Sequence, residues 1–241
     1  MSNTPILNNQ KNSFFTGAYL DGAAAIFDMD GTLIDNTPYH YQAWQQLFKK
    51  NGLPGLSRDT YLTEISGVPI INTLKKYFGE DISDTRLKEL TTQKKQFYEV
   101  AFKPFLRPIN GLEQFLNNLK GAGVKIALAT SSTMDDVDFI FETIPIRAYF
   151  DTIIIGSTVS QPKPSPQIFL KAAAQLNILP ERCIVFEDSI SGLKAGKNAG
   201  MKVIGIATAH PIEKVSKLAT LAIQDYTDTS LQKLAGLFDR Y

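Results

Sequence analysis

Ile26-Phe27-Asp28-Met29-Asp30-Gly31-Thr32 is apolar up to Phe27, then carries two carboxylates one residue apart, followed by a glycine. The apolar run begins at Ala23 and is uninterrupted, as in a parallel strand buried on both faces. Asp28 is therefore expected at the carboxyl end of a strand, the edge where open α/β sheets bind ligands. Asp30 follows in a loop that Gly31 allows to bend sharply. Carboxylates this close resist ionising together, and a hard divalent cation with oxygen ligands relieves them. The pair reads as a nucleophile and metal site. An isolated Asp-x-Asp-Gly also serves merely to end a strand in a turn, so the remaining sequence has to decide.

Outward from this stretch, Pro38 to Lys50 places Tyr41, Trp44, Leu47 and Phe48 at helical spacing, and Gly52 and Pro54 end the pattern. Further helical stretches, Ile70 to Phe78 and Thr85 to Phe102, run to Pro108 with no convincing strand among them. Beyond that, strand-like runs at Val124 to Ala129, Thr152 to Ile155, Cys183 to Phe186 and Val203 to Ala207, with a weaker one at Leu221 to Gln224, alternate with helical patterns. Those helices span Leu112 to Lys120, Met134 to Thr143, Ser165 to Leu176 and Ser191 to Asn198, the crossovers a parallel sheet needs. The expected fold class is α/β, a doubly wound, Rossmann-like parallel sheet interrupted early by helices. Residues 1–37 and 107–241 form the expected core domain, 38–106 a helical cap, and 1–12 a loose tail.

Composition narrows the partners. With 25 basic and 24 acidic residues and a net charge of +1, nothing points to nucleic acid or to a membrane surface, and a small molecule is the expected partner. The polar first twenty residues lack the apolar stretch of a signal peptide or membrane span. The single cysteine, Cys183, opens an apolar run and reads as a core residue in a reducing cytoplasm.

Each core strand ends in residues suited to one task. Val124 to Ala129 leads into Thr130-Ser131-Ser132, whose hydroxyls and backbone N–H groups suit a phosphate oxygen, although capping a helix explains them equally well alone. Lys163 stands between Pro162 and Pro164, which restrict the backbone that aims its ammonium. Cys183 to Phe186 leads into a second acidic pair, Glu187-Asp188, ahead of a helix kept slim by Gly192, Ala195 and Gly196. Carboxylate pair, hydroxyl, lysine and carboxylate pair, in that order, supply a nucleophile, oxyanion donors, a fixed cation and metal ligands.

On these residues the chain resembles the haloacid dehalogenase superfamily of phosphotransferases over nearly its whole length. Asp28-Met29-Asp30-Gly31-Thr32 is similar to the first motif, Thr130-Ser131 to the second, Lys163-Pro164 to the third, and Glu187-Asp188 with Ser191-Gly192 to the fourth. The resemblance implies that Asp28 attacks a phosphoryl group to form an aspartyl-phosphate and that Asp30 is general acid, then general base. It implies Mg²⁺ held by the Asp28 carboxylate, the Asp30 backbone carbonyl and Asp188, with Glu187 bound directly or one layer behind. Thr130, the N–H of Ser131 and Lys163 would bind the phosphoryl oxygens. An acid at Asp30 makes members that cleave carbon–halogen bonds or transport ions poor models.

The early insert resembles the helical cap of the β-phosphoglucomutase-like and sugar-phosphatase group, through Asp35, Tyr39, His40 and Trp44. The resemblance implies a cap that shields the site, hinged near Asn36 to Pro38 and Arg107 to Pro108, with His40 facing the cleft as a possible substrate contact and Trp44 in the cap core. The mutase holds a second phosphate with a lysine and an arginine flanking a Gly-Val pair, and here Ser66 and Ile70 stand at those positions. Lys75 and Lys76 lie further along as alternative cations. The expected function is a Mg²⁺-dependent phosphatase of a small phosphorylated metabolite, a sugar phosphate first among them, in a cytoplasmic monomer. β-Phosphoglucomutase and inorganic pyrophosphatase are the alternatives, and the full set of catalytic residue types argues against a non-catalytic binding module.

Overall fold

A computed structural model describes residues 20–238 of the chain, so the tail expected at 1–12 lies outside the described residues. Six strands form one sheet: β1 (Ala24–Phe27), β2 (Lys125–Thr130), β3 (Thr152–Ile155), β4 (Cys183–Glu187), β5 (Lys202–Ile206) and β6 (Leu221–Ile223). All pairs are parallel and the order is β3-β2-β1-β4-β5-β6. The order reverses at β1, so the crevice between β1 and its neighbour β4 is where a ligand site is expected in such a sheet.

Burial on both faces explains the apolar runs. On β1, Ala25 and Phe27 pack into one apolar cluster with Leu112, Phe115 and Ile140, while Ala24 and Ile26 pack into another with Ile168, Phe169 and Leu193. The covering helices are α4 (Leu112–Gly121) and α5 (Met134–Thr143) on the first face, and α6 (Gln167–Leu176) and α7 (Ile190–Asn198) on the second. Phe27 stacks on Phe186 at 4.4 Å between ring centroids, tying β1 to β4 just below the strand ends. Cys183 is fully buried, as expected of a core residue.

Between β1 and β2 lie α1 (Thr37–Lys50), α2 (Ile70–Phe78) and α3 (Asp84–Phe102). Their facing sides, with Tyr61 and Ile65 from the segment before α2, build a third cluster with Trp44, Leu47, Phe48, Leu74 and Leu90, away from the sheet. Trp44 belongs to it, as expected. Ala43, Tyr98 and Phe102 instead join the cluster on the first face of the sheet, so the insert is packed onto the core. The segment before α2 was expected only as helical. It is a short turn, Arg58–Thr60, capped by the Ser57 hydroxyl and continuing into a π-helical turn, Tyr61–Ile65. Two short helices after β5, Ile212–Ser216 and Leu231–Ala235, also escaped the sequence pattern, being too brief to show a period. Among the described residues, no helix is long and apolar enough to cross a membrane.

Candidate active site

The sheet register brings the candidate residues together. Phe27 pairs with Leu128 on one side and Phe186 on the other, so Asp28 leaves β1 beside Ala129 and Glu187. Its own N–H still donates to Phe186 O at 3.0 Å, which fixes the start of the loop. Gly31 adopts φ +71°, and a Cβ there would lie 2.0 Å from Asp188 Oδ2. Only glycine permits both the left-handed turn and that close approach.

Lys163 reaches in from the loop before α6, 135 residues along the chain from Asp28. Its Nζ donates to Asp28 Oδ1 at 2.6 Å, Glu187 Oε1 at 2.8 Å and the Ala129 carbonyl at 3.2 Å, and sits 4.8 Å from the centre of the Phe169 ring. The lysine side chain is only 3% exposed. Burial alone would favour the neutral amine, but the Asp28 and Glu187 charges hold its proton affinity well above the usual lysine range.

Glu187 is occupied at both oxygens. Oε1 takes Lys163, while Oε2 accepts from Ser189 N at 2.7 Å and Ser189 Oγ at 3.0 Å. The Ser189 hydroxyl oxygen accepts in turn from Gly192 N at 3.1 Å and caps α7. Glu187 therefore anchors Lys163 to the start of α7. Asp188 is different: it is buried, with no hydrogen-bond partner among the described residues. Burial, then the nearby Glu187 and Asp28 charges, pushes its carboxyl well above the usual carboxylate range. Burial likewise raises Asp28 to about 7, with Lys163 opposing.

The charges of the cluster are unequal in number. Asp28, Glu187 and Asp188 converge in the interior with Lys163 as the only ammonium or guanidinium among the residues lining the cleft. Among the described residues, no three His, Cys, Asp or Glu side chains converge closely enough to cage a metal by themselves. A small divalent cation does not need that: it commonly takes one or two carboxylates and completes its shell with carbonyl, water and phosphate oxygens. Asp28 and Asp188, with the Asp30 backbone carbonyl, are the groups that could hold one.

Asp30 is half-buried and held by contacts from several elements. Ser132 Oγ donates to its Oδ2 at 2.6 Å, the Asn36 amide donates to its Oδ1, and His40 Nε2 lies 3.4 Å from Oδ1. Burial works to raise this carboxyl, yet the His40 contact and the Ser132 and Asn36 bonds hold it well below the usual range. Asn36 also donates to Tyr98 Oη at 2.8 Å and accepts from Gly31 N at 3.2 Å. With both amide hydrogens used, Asn36 leaves the Nε2 proton of His40 free to face Asp30. Lys94 Nζ donates to His40 Nδ1 at 2.6 Å, consistent with that tautomer. Burial brings the Lys94 amine down to about 8. The His40 ring stacks on Tyr98 at 4.0 Å.

Thr130 and Ser131 line the same cleft, with Thr130 Oγ1 accepting from Ser132 N at 3.0 Å and its hydroxyl proton left to donate. The cap closes the other side with Trp44, Tyr61, Ile65, Ser66 and Gly67. Of the cap positions singled out in the sequence, Ser66 lines the cleft, whereas Lys76 pairs with Glu64 at 2.8 Å on the exposed side. Neither Lys75 nor Lys76 lines the cleft. Sequence reasoning missed Lys94 and Tyr98, and missed the roles of Asn36, named only as a hinge, and of Ser132, named only as a phosphate-binding hydroxyl, in holding Asp30. Asn36 sits at the start of a helix and Ser132 beside a recognised motif, which were available signals. Lys94 and Tyr98 lie on a long amphipathic helix and had none.

Comparison with known proteins agrees with this geometry. The model of the haloacid dehalogenase-like hydrolases matches residues 25–206. A phosphorylated carbohydrates phosphatase of Thermotoga maritima is 32% identical over 186 residues, covering 75% of this chain and 83% of that protein. A β-phosphoglucomutase of Bacillus subtilis is 30% identical over 225 residues, 90% of this chain and 96% of that one. Among solved structures, a haloacid dehalogenase hydrolase (family IA, variant 3) of Entamoeba histolytica superposes with a TM-score of 0.81 at 28% identity, covering 90% of this chain and all of that one. With its sheet order, its motif residues at the strand ends and these relatives in agreement, the chain belongs to the haloacid dehalogenase-like hydrolase family.

Proposed function

We propose that the protein is a Mg²⁺-dependent phosphatase that hydrolyses a small phosphorylated metabolite through an aspartyl-phosphate on Asp28. The observation that carries this reading is the division of labour between two neighbouring carboxylates. Asp28 is buried and paired with an ammonium, whereas Asp30 is separately hydrogen-bonded at the mouth of the cleft. Asp28, Asp188 and the Asp30 carbonyl would hold a Mg²⁺ ion, whose charge would offset that of the transferring phosphoryl group. Lys163 orients the nucleophile and, with the Thr130 hydroxyl and Ser131 N–H, meets the phosphoryl oxygens. Asp28 Oδ displaces the leaving alkoxide, and Asp30 gives that oxygen a proton, which it takes up from solvent when substrate binds, because its His40, Ser132 and Asn36 contacts otherwise hold it ionised. Asp30 then takes a proton from the water that attacks the phosphorus, which releases phosphate and restores Asp28.

Hydrolysis is favoured over phosphate transfer between two positions of a sugar. A mutase needs a second cation in the cleft to hold the far phosphate, and the cap offers Ser66, Ile65 and Gly67 there. A phosphorylated carbohydrate is the leading substrate class, since the Thermotoga relative carries that name. The test is phosphate release from sugar phosphates, nucleotides and pyrophosphate, with Mg²⁺ and with EDTA. The panel includes β-glucose 1-phosphate assayed for glucose 6-phosphate. Metal-dependent phosphate release is the expected result, and isomerisation with little free phosphate would overturn it.

A further inference from the structure

A second crevice, enclosing about 450 Å³, lies across the cap loop from the catalytic cleft. The two share a wall formed by Ser66, Gly67, Lys163 and Ser189. The wall is tight: a Cβ on Gly67 would lie 2.8 Å from Ser191 Oγ, so the cap loop rests directly on the start of α7. The far side of the crevice belongs to the core, with Lys194 on α7 and His210 and Lys214 from the segment after β5. The near side belongs to the insert and presents the Asn72 amide.

The lining has a clear chemical sign. No acidic side chain lines this crevice, and its ammonium groups other than Lys163, which Asp28 and Glu187 occupy, are Lys194 and Lys214. His210 is 5% exposed and makes no hydrogen bond among the described residues, its ring nitrogens keeping some contact with solvent in the crevice. Burial first, and then the adjacent Lys214 ammonium, lower its proton affinity.

We propose that this crevice is a second anion site, taking one phosphate or carboxylate group between His210, Lys194 and Lys214, with Asn72 contributing from the cap. An anion there accepts a hydrogen bond from the His210 ring and offsets the charge of the two ammonium groups. Because its walls come from both cap and core, occupancy favours the closed cap by linkage. The anion is either free in solution, as inorganic phosphate is, or the second acid group of a longer substrate. The catalytic reading is not required, since the crevice does not face Asp28.

The chain has two histidines, one in each cavity, so imidazole NMR signals report on the cavities separately. Inorganic phosphate titrated into the full chain should move the His210 signals saturably. In Lys194→Met/Lys214→Met the affinity read from His210 should fall by about tenfold or more, while the response of His40 is unchanged. Fructose 1,6-bisphosphate titrated into Asp28→Asn separates the sources. His40 and His210 moving along one isotherm identifies a second acid group of the bound molecule, whereas His210 following only phosphate identifies a free anion. His210 unmoved by both ligands, or moving equally after the lysines are removed, would overturn the site. A silent His40 with a responsive His210 would count against the phosphatase reading and leave this site standing.

Discussion

Lys163→Met is the most informative perturbation of the buried charge cluster. Methionine keeps an apolar stem but removes the ammonium over Phe169 and its hydrogen bonds to Asp28 at 2.6 Å, Glu187 at 2.8 Å and the Ala129 carbonyl at 3.2 Å. Removing one member of a buried pair leaves uncompensated charge and costs about 3–5 kcal/mol. For a chain of this size that lowers Tm by roughly 10 °C or more. Breaking the exposed Arg147–Asp138 pair by Arg147→Met should cost under about 1 kcal/mol, although its 2.8 Å contact is equally short. The assay is urea unfolding in EDTA. Asp28 titrates at about 7 in the folded protein against 3.8 as a free side chain, so ionising it costs stability as pH rises through that window. Without the ammonium the cost deepens. The gap between variant and wild type should therefore narrow on going from about pH 8 to about pH 5. Adding Glu187→Gln should restore about 1–3 kcal/mol, as expected when coupled partners are removed together. A loss no larger than that of Arg147→Met, or no recovery in the double variant, would refute the cluster as described.

Asp28→Asn should abolish phosphate release while leaving the circular dichroism spectrum and the unfolding transition of a folded protein; activity near that of wild type would rule out the nucleophile. Asp30→Asn should slow both formation and hydrolysis of the phospho-enzyme, each followed by rapid quench, and an effect on neither would remove its acid/base role. Ser132→Ala deletes the 2.6 Å bond to Asp30 Oδ2 and should lower kcat by roughly tenfold with little change in KM, a split visible in steady-state kinetics. Gly31→Ala forces a side chain into φ +71° against Asp188, at a backbone cost of about 1–2 kcal/mol. It should reduce Mg²⁺ affinity more than Gly22→Ala, whose Cβ meets nothing within 4 Å; equal metal titrations for the two would contradict the packing of Gly31 on Asp188.

The strands were legible because each is short, apolar and bounded by polar residues, a pattern that burial on both faces requires. Asp28, Asp30, Thr130, Lys163 and Asp188 were legible because strand ends in such a sheet share one edge, so motifs far apart in sequence meet there. The register of β1 with β4 and the reach of Lys163 decided more than any motif could: they turned Glu187 into an anchor, saturated by Lys163 and Ser189, and left Asp188 as the unpartnered carboxylate. Lys94 and Tyr98 read from sequence as ordinary positions on a long helix, and only the packing of α3 against α1 sets them on His40 and Asn36. Likewise, nothing local distinguishes His210, Lys194 and Lys214 from surface residues until the cap loop is laid against α7. Sequence by itself determines which faces must be buried and which strand ends carry acids, because those are properties of a few neighbouring residues. Which charges are paired and which are left unsatisfied is decided by tertiary structure, because an electrostatic contact depends on distance in space between groups that the chain separates, by 135 residues for Asp28 and Lys163.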